Sequence, residues 1–105
     1  MVFKRPAARR DLVGHYVYLA ENGREDTANR FMSNAEASFD DLAQHRAMGS
    51  PMTLRRPELA ELRKWRVKEF EDFLIFYLPR RDGVCIVRVL HATQDWWGLL
   101  GIQVT

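Results

Sequence analysis

The spacing of apolar residues changes period once along this chain, and that change dictates helices first and strands afterwards. Ala8, Leu12, Tyr16 and Leu19 recur at spacings of four, four and three, and Val13, Val17 and Ala20 widen the stripe. Such spacing predicts an amphipathic helix over about residues 7–20. Pro6 opens it at the first turn, where a missing N–H costs nothing, and Gly14 permits close packing inside it. Asn22-Gly23 breaks the pattern, with Gly23 read as a positive-φ terminator. Asp26 is the expected N-cap of a second helix reaching about Gln44. Its stripe is Ala28, Phe31, Ala35, Phe39 and Leu42, with Met32 and the small Ser38 beside it. Two amphipathic helices joined by a short loop pair as an antiparallel hairpin, because each must bury its stripe.

Gly49, Pro51 and Pro57 exclude a long helix or central strand over 46–61, apart from a single turn at Glu58 to Leu62. The period then falls to two. Trp65, Val67 and Glu69 alternate with Lys64, Arg66 and Lys68, which predicts a half-buried strand with three cations on one side. Asp72 marks a turn, and Phe73 to Leu78 reads as a strand covered along most of its length. Pro79-Arg80-Arg81-Asp82-Gly83 is a turn with Asp82-Gly83 as its hairpin signal. Val84 to Leu90 is a further strand, and Val2-Phe3-Lys4 a short edge strand. The expected class is α+β: a short N-terminal strand and an antiparallel helical hairpin packed on one face of a C-terminal antiparallel sheet. Residues 1–105 are expected to form a single domain.

Composition excludes several classes. A chain 47% hydrophobic and 11% aromatic is a folded globule rather than a disordered tail. The longest charge-free run, Trp96 to Thr105, is too short to span a bilayer. No signal-peptide pattern opens the chain. Cys85 is the one cysteine, so an intramolecular disulfide is impossible; its run Val84-Cys85-Ile86-Val87 marks it as a small buried hydrophobe. These features lead to an expected cytoplasmic location. A net charge of +2 with a pI near 9.0 is weak for a DNA-binding domain. The basic residues are concentrated, however: residues 55–68 carry Arg55, Arg56, Arg63, Lys64, Arg66 and Lys68 against Glu58 and Glu61. That stretch is either a solvated face or a surface for an acidic protein or for phosphates.

The residues also carry a family resemblance across nearly the whole chain. Ala8, Asp11-Leu12 and Tyr16 in the first helix, and Leu42 to Gly49 after the second, resemble weak motifs of the ParE/RelE toxin superfamily. The proline usual before that glycine is replaced here, in His45-Arg46-Ala47-Met48-Gly49. Leu62-Arg63-Lys64-Trp65-Arg66-Val67 and Phe73-Leu74-Ile75-Phe76-Tyr77 resemble two of its strands. The ending is the specific part: Asp82-Gly83-Val84-Cys85-Ile86-Val87-Arg88-Val89-Leu90-His91, continued by Asp95, is similar to the superfamily's ParE-like branch. The resemblance implies the toxin of a type II toxin–antitoxin system. A ParE-like toxin is an inhibitor of DNA gyrase and is neutralised by a cognate ParD-like antitoxin with an acidic C-terminal segment. The alternative that it implies is a RelE-like ribosome-dependent mRNA endoribonuclease.

Those two activities need different surfaces. Metal-free RNA cleavage needs a base for the 2′-OH, an acid for the leaving oxygen and cations for the developing charge. Lys64, Arg66 and His91 would be that set, with Lys68 and Arg88 as further cations. His91 has two readings, an acid–base group or a hydrogen-bonded residue closing a strand. Arg88, inside an apolar strand with the parity of Ile86 and Leu90, must be paired or reach a rim. It is either bridged to a carboxylate such as Asp95 or Asp72, or an anchor for a partner's carboxylate. A binding toxin needs no catalytic set, only a surface, for which Arg63, Lys64, Arg66, Lys68, Arg88, Trp96 and Trp97 are the candidates. The apolar run Trp96-Trp97-Gly98-Leu99-Leu100-Gly101-Ile102 either folds back as an extra strand or forms an exposed patch, and two adjacent tryptophans can bury one ring and offer the other. Charge reversal at Arg63 and Arg66 is expected to weaken antitoxin binding. His15 and His45 lie in helical segments away from other metal-ligating motifs, so neither metal nor other cofactor is expected, and no small-molecule substrate or membrane partner.

Overall fold

The computed structural model describes residues 1–52, 54 and 56–100. Arg55, and Gly101-Ile102 at the end of the apolar run, lie outside the described residues. The chain runs through β1 (Val2–Lys4), α1 (Pro6–Asn22), α2 (Glu25–Gln44), β2 (Ser50–Pro51), a 3₁₀ turn (Pro57–Leu59), β3 (Arg63–Val67), β4 (Phe70–Arg80), β5 (Gly83–His91) and α3 (Trp96–Leu99). The five strands form one sheet in the order β1-β5-β4-β3-β2. The meander β3-β4-β5 is antiparallel as expected, but β1 joins β5 in parallel, so the sheet is mixed. The architecture is α+β, with the α1–α2 hairpin covering one side. Among the described residues, no helix is long and apolar enough to cross a membrane.

The helical side holds the larger core. Ala8 and Leu12 of α1, and Ala28, Phe31, Ala35, Phe39 and Leu42 of α2, are buried. Most of these pack with Val67, Phe73, Ile75, Tyr77, Val84, Ile86 and Val89 of the sheet. The predicted α2 stripe is therefore right, while α1 buries a narrower one: Val13 and Val17 face solvent. The loop between the helices also differs from expectation. Gly23 has φ −139°, not a positive value; a Cβ there would come within 2.9 Å of the Leu19 carbonyl oxygen. Asp26 lies in the first turn of α2 rather than capping it, because the helix already starts at Glu25. Its carboxylate still faces the positive end of the helix dipole.

The second face of the sheet is covered too. Leu59, Leu62, Phe76, Leu78, Cys85, Val87, Leu90 and Leu100 are buried together there, flanked by Met52, Leu54, Leu74 and Trp96. The segment before β3 and the C-terminal α3 supply that cover, and the described part of the final apolar run, Trp96 to Leu100, thus forms a helical turn. Asp95 caps it by accepting from the Gly98 N–H at 3.1 Å.

Two turns fall elsewhere than the sequence pattern places them. β3 and β4 reverse at Lys68-Glu69, where Glu69 takes φ +64°, and β4 begins at Phe70 rather than after Asp72. The Ser38 hydroxyl fixes this turn, donating to the Asn34 carbonyl at 2.7 Å and accepting from the Lys68 N–H at 2.9 Å. β4 also continues through Pro79 to Arg80. A proline is tolerated there because β3 ends opposite Tyr77, leaving one side of Pro79 without a neighbouring strand.

Candidate functional site

The pleat sorts the candidate residues. Lys64 pairs in register with Phe76, and Phe76 with Arg88, so these three form one row across β3, β4 and β5. Phe76 lies in the core of the non-helical face. The Lys64 ammonium stands 5.1 Å from the centre of the Trp96 ring. Trp96 packs on Phe76 at 5.6 Å and stacks on Trp97 at 4.7 Å with 23° between the planes. Trp96 is half-buried, while Trp97 and Leu99 are exposed. The pair of tryptophans thus half-covers one ring and offers the other, and the half-covered ring lies against a cation.

The other cations go elsewhere. Arg66 is on the same strand as Lys64, but its guanidinium folds over the neighbouring Trp65 ring at 4.5 Å and approaches Glu71 at 3.9 Å. Lys68 is exposed in the turn, because β3 stops at Val67. The expected row of three cations on one strand face is therefore not formed. Arg63 donates to the carbonyls of Ala47 and Gly49, holding the loop that follows α2. Reversing its charge would disturb this loop, so Arg63 is a poor reporter of partner binding.

Arg88 is paired, though to neither carboxylate anticipated. Its Nε and one terminal nitrogen donate to the two oxygens of Asp11 on α1 at 2.7 and 2.8 Å, and its other terminal nitrogen donates to the Leu99 carbonyl at 2.9 Å. The β4–β5 register shifts opposite Arg88: Phe76 pairs with Arg88 but Tyr77 with Ile86, so Val87 bulges. Ile86 then packs toward the helices and Leu90 away from them, which breaks the common parity assumed for Ile86, Arg88 and Leu90. β1 ends opposite Ile86, and α1 completes the edge of β5 beyond it. Asp11 accepts from the Val89 N–H at 3.0 Å, and His15 Nε2 donates to the Val89 carbonyl at 2.7 Å. The carboxylate bonded to the guanidinium raises the pKa of Arg88 further. The reach of Asp11 to residue 88 was invisible in local spacing. The available signal was an acid adjoining Leu12, one of the two buried residues of α1.

His91 lies on the helical side. It pairs in register with Phe73 and meets that ring edge-on at 5.0 Å, and Phe73 belongs to the helix-covered core. Its Nδ1 accepts from the Thr93 N–H at 3.1 Å and from the Thr93 hydroxyl at 2.7 Å. His91 is thus the hydrogen-bonded residue closing β5. The sheet separates it from Lys64, and the set Lys64, Arg66 and His91 is not brought together.

Tyr77 and Arg46 were missed by sequence reasoning. The buried Tyr77 hydroxyl donates to the Arg46 carbonyl and accepts from the Gly49 N–H, both at 2.8 Å. Burial raises its pKa, against the opposing pulls of the Gly49 hydrogen bond and the Arg63 charge. Arg46 in turn donates to the carbonyls of Arg80 and Arg81.

With this geometry in view, comparison with known proteins gives the family. The profile described as the ParE toxin of type II toxin–antitoxin system, parDE, matches residues 2–96. Among solved structures the chain is similar to one from the chromosomal ParDE TA system of P. aeruginosa. The TM-score is 0.68 at 14% identity, over 86% of this chain and 92% of that one, which establishes a common fold. No curated protein matches in sequence. The profile match spans β1 through the start of α3, and the chain belongs to the ParE toxin family of type II toxin–antitoxin systems.

Proposed function

We propose that this toxin acts in the cytoplasm as a binding inhibitor of DNA gyrase and does no chemistry of its own. The observation that carries this reading is the division of the catalytic alternative by the sheet. His91 is bonded into its turn beside Phe73 on one face, and Lys64 lies over Trp96 on the other. A general base acts only within hydrogen-bond reach of the proton that it takes, directly or through one water. What stands exposed instead is an aromatic and cationic surface, Trp97 on Trp96 beside Lys64, of the composition found at binding hot spots. In this reading Lys64, Trp96 and Trp97 meet a macromolecule, and Arg66 and Lys68 add exposed positive charge elsewhere on the molecule. Arg88 holds that surface in place through its bond to Leu99 of α3, while Arg63 holds the loop after α2. The whole of 1–105 serves as one domain, and no small molecule or membrane is engaged.

A toxin of this family has a cognate antitoxin as partner, and the reading gives that antitoxin a ParD-like acidic C-terminal segment. The test combines purified protein with gyrase, ATP and relaxed plasmid. Loss of supercoiling, or accumulation of cleaved plasmid, is the expected result, relieved by the co-encoded antitoxin. Unaffected gyrase together with codon-positioned cuts in ribosome-bound mRNA would overturn the reading in favour of a RelE-like ribonuclease.

A further inference from the structure

A second surface lies away from Trp97, at the end of the sheet where α2 stops. Gln44, His45, Arg46, Ala47, Met48, Arg63 and Pro79 line an open groove of about 560 Å³, within the ~300–1,000 Å³ typical of ligand clefts. Its walls are already fixed: Tyr77 binds the Arg46 carbonyl, Arg63 binds those of Ala47 and Gly49, and Arg46 binds those of Arg80 and Arg81. A groove ordered before binding loses little entropy when filled. Arg46 and Arg63 line it, and Arg80 and Arg81 continue from Pro79 at its edge. Among the described residues, none of these four arginines is ion-paired, whereas Lys4, Arg24, Arg56, Arg66 and Arg88 all are. The side chains of Arg46, Arg63 and Arg80 bond to backbone carbonyls, which carry no net charge.

We propose that this groove seats an acidic, apolar peptide segment, its carboxylates meeting the four arginines and its apolar side chains resting on Met48, Ala47 and Pro79. Apolar lining between the cations favours a peptide over nucleic acid: a phosphodiester backbone presents charge at every step and no side chain to cover Met48. Guanidinium groups also match carboxylates in two-point geometry. That the segment belongs to the antitoxin rests on the function proposed above; the preference of the groove does not.

The test separates the two. A short fluorescent peptide alternating Glu and Leu, and a fluorescent DNA duplex, are titrated against wild type, Arg80→Glu/Arg81→Glu and Met48→Asp. The substitutions avoid Arg46 and Arg63, which hold the loop, and thermal melting checks folding. The peptide should bind wild type, each variant should weaken it roughly tenfold or more, and the co-encoded antitoxin should displace it. Failure of the peptide to bind wild type, or equal affinity for the folded variants, overturns the proposal, and so does duplex binding that the peptide cannot compete. Gyrase assays on the same variants should show inhibition equal to wild type with relief by antitoxin impaired. If wild type leaves gyrase untouched while the peptide arm succeeds, the target reading fails and the groove stands.

Discussion

The Asp11 carboxylate accepts from two of the three Arg88 nitrogens and from the Val89 N–H, so removing it deprives three donors of their acceptor. The two side chains keep only 19% and 11% exposure. Breaking a buried pair from one side typically costs ~3–5 kcal/mol, and residual solvent contact lowers this. Asp11→Ala is therefore expected to destabilise by about 2–4 kcal/mol and Asp11→Asn by less, because an amide oxygen can still accept from Val89. Urea unfolding midpoints check both, and equal midpoints would refute the assignment. His15, one turn along α1, adds a pH dependence. Burial holds its pKa below the ordinary 6.5, against the opposing pulls of the Val89 carbonyl and Asp11, while the charges of His91 and Arg88 add to the lowering. Between the folded pKa and 6.5 the unfolded chain binds the extra proton, so stability should rise with pH through that window and level off above it. His15→Gln, which keeps a donor for the Val89 carbonyl, should flatten this slope in denaturation series run across the window.

At the scale of elements, α3 offers the sharpest contrast. It has four residues, Trp96–Leu99, too few for a helix to persist alone, so its place depends on Trp96 packing on Phe76 and on the Arg88 bond to Leu99. Trp96→Ala uncovers the smaller core and should cost about 2 kcal/mol, below the ~3–5 of a fully buried ring. Trp97→Ala, which removes an exposed ring, should cost less than ~1 kcal/mol yet abolish more of the gyrase inhibition. Thermal melts and supercoiling assays on the two variants read this inversion directly. Elements of this kind also show what was legible in the sequence. Phe31, Ala35, Phe39 and Leu42 betray α2 because one face of a helix meets one core. The chain from Phe73 to Leu78 betrays β4 because both faces of the sheet are covered. The helical form of Trp96–Leu99 was not legible, since a short apolar run fits a strand, a helical turn or a patch equally well. The end of β3 at Val67 was hidden too, because the alternation of Lys68 with Glu69 looks like more strand. Of the site, the two roles of Trp96 and Trp97 could be read locally. The partner of Arg88 could not, because Asp11 is 77 positions away and only the packing of α1 across the edge of β5 joins them.

For the whole molecule, the net charge of +2 understates the field that a partner meets. Salt screens exposed charges over about 8–10 Å under ordinary conditions, so an approaching chain senses local clusters rather than the sum. Arg46 and Arg63 line the groove, with Arg80 and Arg81 following Pro79 at its edge; Lys64 beside the tryptophans is a separate cation. None of these cations has a carboxylate within ion-pair distance among the described residues, unlike Lys4, Arg24, Arg56, Arg66 and Arg88, so they retain their attraction for an acidic segment. Long-range attraction accelerates encounter, whereas the lifetime of the complex is set by short-range packing. The rate of association with the antitoxin should therefore fall steeply as salt is raised, by roughly tenfold or more across the range from low to well above physiological ionic strength. The dissociation rate should change little over the same range. Stopped-flow mixing at several salt concentrations measures both. Arg80→Glu/Arg81→Glu should flatten the salt dependence of association. An association rate indifferent to salt in wild type would mean that apolar contacts alone bring the partners together, and that these arginines play no part in recognition.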